Sequence, residues 1–256
     1  MDAKDEELSV QHLVELGYRR SEGERIVALL SQQEELRWYL SRAKQKAVYP
    51  ITRISSAYPQ ILRKRLGSDC PGCLWAKGDV TFLNTPMIGL VGSRDLRDKN
   101  KAFARAVGRQ AAEQGYTLVS GNARGADKEA QEACLEAGGR VICVIADSLE
   151  EQPLHKNILY LSESGFDLPF SSYRALHRNR IVHALPEKVF VAQCAMGGGG
   201  TWSGTTYNLQ RVLTPVYVYQ DESRAAAALK HLGAQYVELK DLQKLDELTE
   251  LQSVIW

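Results

Sequence analysis

This chain of 256 residues has few of the features that mark disulfide-rich, membrane-spanning or secreted proteins. Its five cysteines are few, scattered and odd in number, which argues against a disulfide framework and favours a reducing compartment. No apolar run reaches the roughly 18 residues that a membrane span needs. The first ten residues, MDAKDEELSV, lack the basic start and the apolar stretch of a signal peptide. We therefore expect a soluble, cytoplasmic protein with no membrane contact.

Charge is unevenly distributed, although the net charge is only +1. Residues 1–35 carry 4 Lys or Arg against 9 Asp or Glu, and residues 36–109 carry 15 against 4. The remaining residues, 110–256, hold 13 against 18, so the net charges of the three segments are −5, +11 and −5. The central excess predicts either a local anion-binding surface or a solvated basic face.

The sequence predicts two regions. Apolar residues recur at spacings of three and four through the first 45 residues, which is typical of helices. Residues 46–80 favour an irregular connector, because prolines and glycines are frequent there. We place a boundary near residue 80, with a helical region and connector at 1–80 and a second domain at 81–256.

Short apolar runs alternate with helical stretches from Met87 onward. The strand-like runs lie at 87–92, 116–120, 140–146, 188–194 and 215–220, and helices are predicted at about 100–114, 126–137 and 206–213. Such alternation favours a parallel sheet covered on both faces. The expected fold class is α/β, an extended Rossmann-like parallel-sheet core with an N-terminal helical extension.

The loops after the strands form the candidate site, because ligands in an open parallel sheet bind at the carboxyl ends of strands. Gly92, Ser93 and Arg94 follow the first run and offer backbone access, a hydroxyl and a guanidinium to phosphate. Glycine there is also compatible with a simple tight turn. A dinucleotide-binding G-x-G-x-x-G motif is absent.

A second loop opens the next predicted helix, whose free N–H groups can hold an anion. Its candidate residues are Ser120, Gly121, Arg124 and Gly125. Asp127 in the same segment is equally compatible with a helix cap.

Two further segments complete the set. Arg178, Asn179 and Arg180 precede the run at 188–194, and one arginine is expected to reach the site while the other forms a structural ion pair, since residues two apart do not share a helix face. A glycine-rich segment after that run combines small residues with hydroxyl groups: Gly199, Gly200, Thr201, Ser203, Gly204 and Thr205. It is either a phosphate cradle or a flexible surface loop. Together the loops predict a phosphate-bearing ligand, a nucleotide or a nucleic-acid backbone.

Metal and cofactor sites are not expected. Cys70 and Cys73 form a single C-x-x-C, whereas a zinc site needs a second pair. His177 and His183 are interpreted as polar surface residues, and no nucleophile–base pair is found. Trp202 is the candidate for stacking on a base.

The ordered motifs resemble those of the bacterial DNA-processing protein A family, also named DprA or Smf. The resemblance covers roughly residues 55–220 and is carried by Gly92-Ser93-Arg94, Ser120-Gly121 with Gly125 and Asp127, Gly138-Gly139, Arg178-Asn179-Arg180 and Ser203-Gly204-Thr205-Thr206. It implies a Rossmann-like domain that binds single-stranded DNA, is not an enzyme, forms a homodimer and acts with the RecA recombinase in DNA uptake and recombination.

The resemblance also implies site residues. Lys156 and Asn157 resemble a Lys/Asn pair that the family has after its third strand, and they would join the DNA pocket. The chain departs from the family where Gln193 or Cys194 replaces a glutamate near the end of a core strand, and where no winged-helix tail follows residue 220.

The alternative function is a nucleotide-binding sensor or a nucleoside-monophosphate phosphoribohydrolase-like enzyme. Gly198 to Thr201 resembles the Pro-Gly-Gly-x-Gly-Thr loop of related hydrolases. The helix predicted after it, from Thr206 to Arg211, contains no Glu or Asp that could act as a general base. A DNA-binding protein is therefore the favoured prediction.

Overall fold

The computed structural model describes residues 8–248, which divide into two compact units. The first unit ends at Lys46 and contains three helices: α1 Val10–Glu15, α2 Arg20–Leu30 and α3 Gln33–Gln45. Residues 1–7, which contribute to the prediction that no signal peptide is present, lie outside the described residues. So do residues 249–256, the end of the region predicted to lack a winged-helix tail. No helix within the described range has the length and apolar character needed to cross a membrane.

The described part of the second unit forms one nine-stranded sheet with helices between its strands. The strands are β1 Tyr49–Thr52, β2 Cys73–Lys77, β3 Met87–Val91, β4 Thr117–Ser120, β5 Arg140–Val144, β6 Ile158–Ser162, β7 Lys188–Val191, β8 Val216–Tyr219 and β9 Gln235–Val237. The helices are α4 Gln60–Leu66, α5 Asp98–Glu113, α6 Ala126–Glu136, α7 Ser172–Ala184, α8 Gly199–Arg211 and α9 Arg224–His231.

The spatial order of the strands is β1-β2-β6-β5-β4-β3-β7-β8-β9. The strands from β6 to β9 in this order pair in parallel, and the β1–β2 and β2–β6 pairs are antiparallel. The chain reverses its direction across the sheet at β3, which has β4 on one side and β7 on the other. Such a switch point opens a crevice at the carboxyl ends of the strands. The predicted α/β class with preceding helices is confirmed.

The segment predicted as a connector, 46–80, contributes β1, α4 and β2 to the sheet unit. The boundary between the compact units therefore lies at Lys46, earlier than the predicted boundary near residue 80. Pro50 lies in the edge strand β1, where its missing N–H interrupts no second ladder. Prolines and glycines in this segment mark the ends and edges of short strands rather than a linker.

Buried side chains of the central strands form the core. Every residue of β3 is buried, with Ile88 and Leu90 fully so. Because helices cover both faces of these strands, the strands are continuous apolar runs in the sequence. Helix α5 packs tightly on α6, since any side chain at Gly108 would overlap the backbone of Ala130. This contact fixes α6, and the loop before it, against the sheet.

Candidate nucleic-acid interface

A cavity of about 460 Å³ opens at the carboxyl ends of β3 and β7, where the sheet changes direction. It is lined by the loops after β3, β4 and β7, by the start of α8 and by α7. A second cavity of about 500 Å³ lies beside it, at the ends of β4 and β5. We name them the inner and the outer cavity. The residues that line both form the wall between them: Arg94, Gly121, Ala123, Ala175 and Arg178.

Arg178 on α7 is a buried cation in this wall, with an exposed fraction of 6%. Its Nη1 donates to the carbonyl oxygen of Val144 at 2.5 Å, and its Nε has no partner in the described structure. Burial lowers the pKa of this guanidinium, and the carboxylate of Asp127 opposes that shift. A buried charged group without an ion pair is unfavourable. Arg178 is therefore a candidate for binding an anion.

The loop after β4 is shaped to fit this guanidinium. A side chain at Gly121 would overlap the Arg178 guanidinium, so the close approach requires glycine. Gly125 has a φ of +85°, and a side chain there would overlap the carbonyl oxygens of Ser93 and Arg94. The two glycines therefore bring the loops after β3 and β4 together around Arg178.

Asp127 braces this loop. Its carboxylate is buried and accepts hydrogen bonds from the backbone N–H of Gly121 at 3.0 Å and of Ala123 at 3.2 Å. The N-cap of α6 is Gly125, so the interpretation of Asp127 as a helix cap is wrong. Burial raises the pKa of Asp127 to about 6, although Arg178 and the two backbone donors oppose the rise.

The glycine-rich segment after β7 is the first turn of a helix. Helix α8 begins at Gly199, well before the predicted start at 206, and no side chain caps its free N–H groups. Thr201 donates from Oγ1 to the carbonyl oxygen of Gly92 at 2.9 Å, which ties the helix start to the loop after β3. Gly199, Gly200 and Thr201 line the inner cavity. An uncapped helix N-terminus has free donors and a partial positive charge, so it favours an anion in the same cavity as Arg178.

Gln193 holds the loop that carries Ser93 and Arg94. Its backbone oxygen accepts from Ser93 N at 2.8 Å, its Oε1 accepts from Arg97 N at 3.0 Å, and its Nε2 donates to the Asp95 oxygen at 3.0 Å. The Arg94 side chain is exposed, and no carboxylate of the described chain forms an ion pair with it. The loop is thus fixed while its guanidinium remains free for a ligand.

Arg178 and Arg180 of α7 differ in their contacts, as their spacing predicts. Arg180 forms a buried ion pair with Glu163 and does not line either cavity. Asn179 lines the inner cavity and donates from Nδ2 to the Gly200 oxygen at 3.1 Å. The structure therefore brings Arg178 and Asn179 to the site but not Arg180.

Two candidates from the loop after β4 lie away from the inner cavity. Ser120 is fully buried, and its Oγ accepts from Gln131 at 2.5 Å, so its hydroxyl is occupied within the core. Arg124 is exposed, forms an ion pair with Asp95 at 3.0 Å and lines the outer cavity.

Lys156 and Asn157 lie at the opposite edge of the sheet, so their assignment to the DNA pocket is corrected. Strand β6 starts at Ile158 and runs parallel to β5, which places the residues just before it at the amino-terminal edge. The Asn157 oxygen accepts from Val141 N, and its Nδ2 donates to the Gly138 oxygen at 3.4 Å. The resemblance to the family's Lys/Asn pair suggested a place in the pocket, whereas the direction of β6 places both residues at the edge away from the two cavities.

Ser203, Gly204 and Thr205 lie within α8, beyond its first turn, and line neither cavity. Gly204 and Thr205 are buried, and Gly204 lies against His183 of α7. Trp202 is half-buried and packs against the core. Gly204 allows α8 to pack closely on α7.

Several lining residues were not predicted from the sequence, including four with polar or aromatic side chains. His183 lines the inner cavity and is buried, which lowers its pKa to about 3 and leaves it neutral at pH 7. Its interpretation as a surface residue is wrong, and its position four residues after Asn179, on the same helix face, was the available signal. The other three line the outer cavity: Asp147, Gln152 and Phe170.

The C-x-x-C pair has a structural environment. Cys70 is buried, with its Sγ 2.9 Å from the Tyr58 hydroxyl, which donates to the Pro71 oxygen at 2.6 Å. All five cysteines are free thiols. Across residues 8–248, no group of three or more His, Cys, Asp or Glu is arranged to hold a metal ion.

The basic residues of segment 36–109 do not form one surface. Arg53 donates to the carbonyl oxygens of Cys70 and Pro71, and Arg65 donates to two carbonyl oxygens at the end of α7 and beyond it. Several of the charges therefore support the fold, and Arg94 is the one that lines both cavities.

Residues 50–249 match a family model described as DNA recombination-mediator protein A. The chain belongs to this family. The match spans the sheet unit and excludes α1 to α3, so the family assignment rests on the part of the chain that builds the two cavities.

Curated relatives of this family agree with the match. Protein Smf of Escherichia coli is 30% identical over 152 residues, which cover 55% of this chain and 40% of that protein. DNA processing protein DprA of Bacillus subtilis is 30% identical over 165 residues, 60% of this chain and 55% of that protein. The chain thus spans about half the length of these relatives.

Two solved structures share the fold. DNA processing protein A from Streptococcus pneumoniae superposes with a TM-score of 0.77 at 23% identity, covering 96% of this chain and 89% of that chain. DNA processing protein A from Helicobacter pylori, whose structure is described as showing a single-stranded DNA binding mode, superposes with a TM-score of 0.63 at 26% identity. That match covers 77% of this chain and 93% of that one.

Proposed function

We propose that this protein binds single-stranded DNA and acts in DNA recombination as a mediator of the DprA type. Arg178 is the observation that carries the proposal, because its buried guanidinium has no ion pair in the described chain and lines the same cavity as the uncapped start of α8. Arg94 adds a free guanidinium at the same wall. Phosphates of a single strand supply the anions that this arrangement lacks.

The binding of DNA by the Helicobacter pylori protein supports this assignment, since that protein shares the fold and the family. Phosphate contacts do not read the sequence, so we expect affinity for strands of any composition and a strong dependence on salt. If about three phosphates are neutralised, the slope of log K against log salt is about −2.

Binding without catalysis is the role that the acidic residues favour. Asp127 is the one carboxylate lining the inner cavity in the described chain, and its Oδ2 already accepts hydrogen bonds from two backbone N–H groups. A hydrolase of nucleoside monophosphates needs a free general acid or base near the sugar. We therefore retain DNA binding over a hydrolase acting at the inner cavity.

The proposal also covers the oligomeric state, a protein partner and the cellular compartment. We expect a homodimer, because β9 is an edge strand and Leu232, Tyr236 and Leu239 around it are exposed. RecA is the expected protein partner during DNA uptake, as the family resemblance implies. Five free thiols favour a reducing, cytoplasmic setting.

Fluorescence anisotropy of a labelled, mixed-sequence single strand tests the central proposal. Tight, salt-sensitive binding that excess AMP barely displaces is the expected result. No binding at low salt contradicts the proposal. Complete displacement of the strand by a low concentration of AMP contradicts it too and favours the nucleotide sensor. Light scattering at micromolar concentration tests the dimer. The partnership is tested by coating single-stranded DNA with a competing DNA-binding protein and measuring whether this protein increases the binding of RecA to that DNA.

A further inference from the structure

The outer cavity contains hydrogen-bond acceptors that the fold leaves unused. Asp147 accepts from Ser148 N through Oδ1 at 2.8 Å, and no residue of the described chain bonds its second oxygen. Gln152 donates from Nε2 to the Ser148 oxygen at 3.0 Å, which leaves its Oε1 as the free end of the amide. Both side chains line the cavity. Two acceptor oxygens in one cavity favour a ligand group that carries two hydrogens.

The loop that carries these acceptors is firmly held. Ser148 donates from Oγ to the Phe166 oxygen at 3.3 Å, and Leu149 N donates to the same oxygen at 2.7 Å. Lys77 donates from Nζ to the Glu150 oxygen at 3.0 Å. The positions of the acceptors are therefore set before a ligand binds, which is what selective hydrogen bonding requires.

The other walls of the outer cavity suit a nucleobase. Phe170 lines the cavity with an exposed fraction of 53%, so its ring is free to stack. Arg94 and Arg178 are shared with the inner cavity, where the α8 N-terminus lies. A phosphate at this shared wall places its own base toward the ends of β4 and β5, into the outer cavity.

We propose that the outer cavity holds one base of the bound strand and selects a base with an exocyclic amino group through Asp147 and Gln152. The inference rests on the proposed binding of single-stranded DNA and adds a base preference to it. Cytosine presents the N4 amino group, whereas uracil and thymine present O4, an acceptor that would face two acceptor oxygens. When O4 faces the oxygens of Asp147 and Gln152, the base shields these acceptors from water without donating a hydrogen bond to them, and binding is weaker.

Short oligonucleotides of deoxycytidine and deoxyuridine test the preference, because the two bases differ at N3 and C4 and neither carries the methyl group of thymine. We expect six-residue strands of deoxycytidine to bind about tenfold more tightly than those of deoxyuridine, in line with one good base contact. The comparison uses the unmodified protein, so it does not depend on how a variant folds.

Asp147→Asn identifies the residue, since the new amide offers a donor to O4. It should remove the preference for deoxycytidine or reverse it. Glu151→Gln is the matched control: it removes one negative charge from the same exposed loop but lies outside both cavities. The control should keep the tenfold preference.

Each outcome is decisive. Equal binding of both strands by the unmodified protein overturns the base preference and leaves the proposed DNA binding intact. A preference that survives Asp147→Asn overturns the assigned site. Absence of binding to every strand, including mixed sequence at low salt, overturns the proposed function and this inference together.

Discussion

The two edges of the parallel sheet are built from similar loops but differ in how their polar groups are used. At the carboxyl edge, Arg178 keeps an unused donor and the start of α8 has no cap. At the amino edge, the backbone and side chain of Asn157 bond the neighbouring turn and strand. This difference favours the carboxyl edge as the candidate ligand-binding edge, whereas the distribution of basic residues alone does not distinguish the two edges.

Arg178 and Arg180 of one helix differ in their ion pairs, although each keeps a buried guanidinium nitrogen without a hydrogen-bond partner in the described chain. Arg180 is neutralised by Glu163, whereas Arg178 faces Gly121 and has no ion pair within 4 Å. A buried guanidinium in an ion pair contributes to the fold, and one without a carboxylate within 4 Å is a candidate for binding an anion. Four substitutions test this difference between the two edges.

Arg178→Ala should have the largest effect, weakening single-stranded DNA binding about 100-fold, because charge-assisted hydrogen bonds to phosphate are each strong. Lys156→Ala at the amino edge is the matched cation and should change affinity by less than about twofold. Anisotropy at fixed salt measures both, and Arg178→Lys should recover part of the loss. Equal effects of Arg178→Ala and Lys156→Ala would remove the distinction between the edges.

Gly125→Ala should be the next largest change. Its φ of +85° and the carbonyl oxygens of Ser93 and Arg94 leave no room for a side chain, so we expect a loss of about 2 kcal/mol in unfolding free energy and binding weakened by more than tenfold. Gly138→Ala is the control, since its φ is +77° but nothing lies within 4 Å. It should lower stability by about 1 kcal/mol and leave binding unchanged. Denaturant unfolding measures the loss of stability and anisotropy measures the loss of affinity. Equal losses in Gly125→Ala and Gly138→Ala would contradict the role given to Gly125.

Gln193→Glu should weaken binding about tenfold at neutral pH, because a carboxylate cannot donate to the Asp95 oxygen and would repel it. Protonation restores a donor, so the affinity relative to the unmodified protein should recover as the pH falls toward 5. Gln210→Glu, an exposed change of the same charge on α8, should show no such recovery. A loss independent of pH would indicate a general charge effect instead of loop positioning.

Asp127→Asn should have the smallest effect on binding, because the amide oxygen can still accept from Gly121 and Ala123. The pKa of Asp127 is raised by burial to about 6 in the folded protein, above its ordinary value. Its charge therefore destabilises the fold as pH rises from about 4 through 6, by up to about 3 kcal/mol. Unfolding free energies across this range should fall in the unmodified protein relative to Asp127→Asn, and parallel curves would contradict the assignment.

The sequence was sufficient for the central sheet and for part of the site. Buried strands such as β3 and β5 are continuous apolar runs, so they could be predicted, and the spacing of Arg178 and Arg180 anticipated their separate roles. The early start of α8 was missed because Gly199 and Gly200 disfavour a helix interior, whereas an N-terminal turn tolerates them. Lys156 was misplaced because its edge depends on the direction of β6.

The outer cavity could not be predicted at all. Asp147 and Phe170 belong to segments without a motif, and they meet only because loops far apart in the chain end at the same edge of the sheet. Their roles follow from which hydrogen bonds the fold leaves unmade, and that information exists only in the folded chain.

Hydrogen–deuterium exchange with and without a single-stranded oligonucleotide is the most direct test that DNA binds at the carboxyl edge, because it measures backbone protection at both edges of the sheet in one experiment. The account predicts protection of backbone amides at residues 92–97, 121–125 and 198–202, and unchanged exchange at 138–139 and 155–157. Protection at the amino edge, or none at the three carboxyl-edge segments despite binding, would contradict the account.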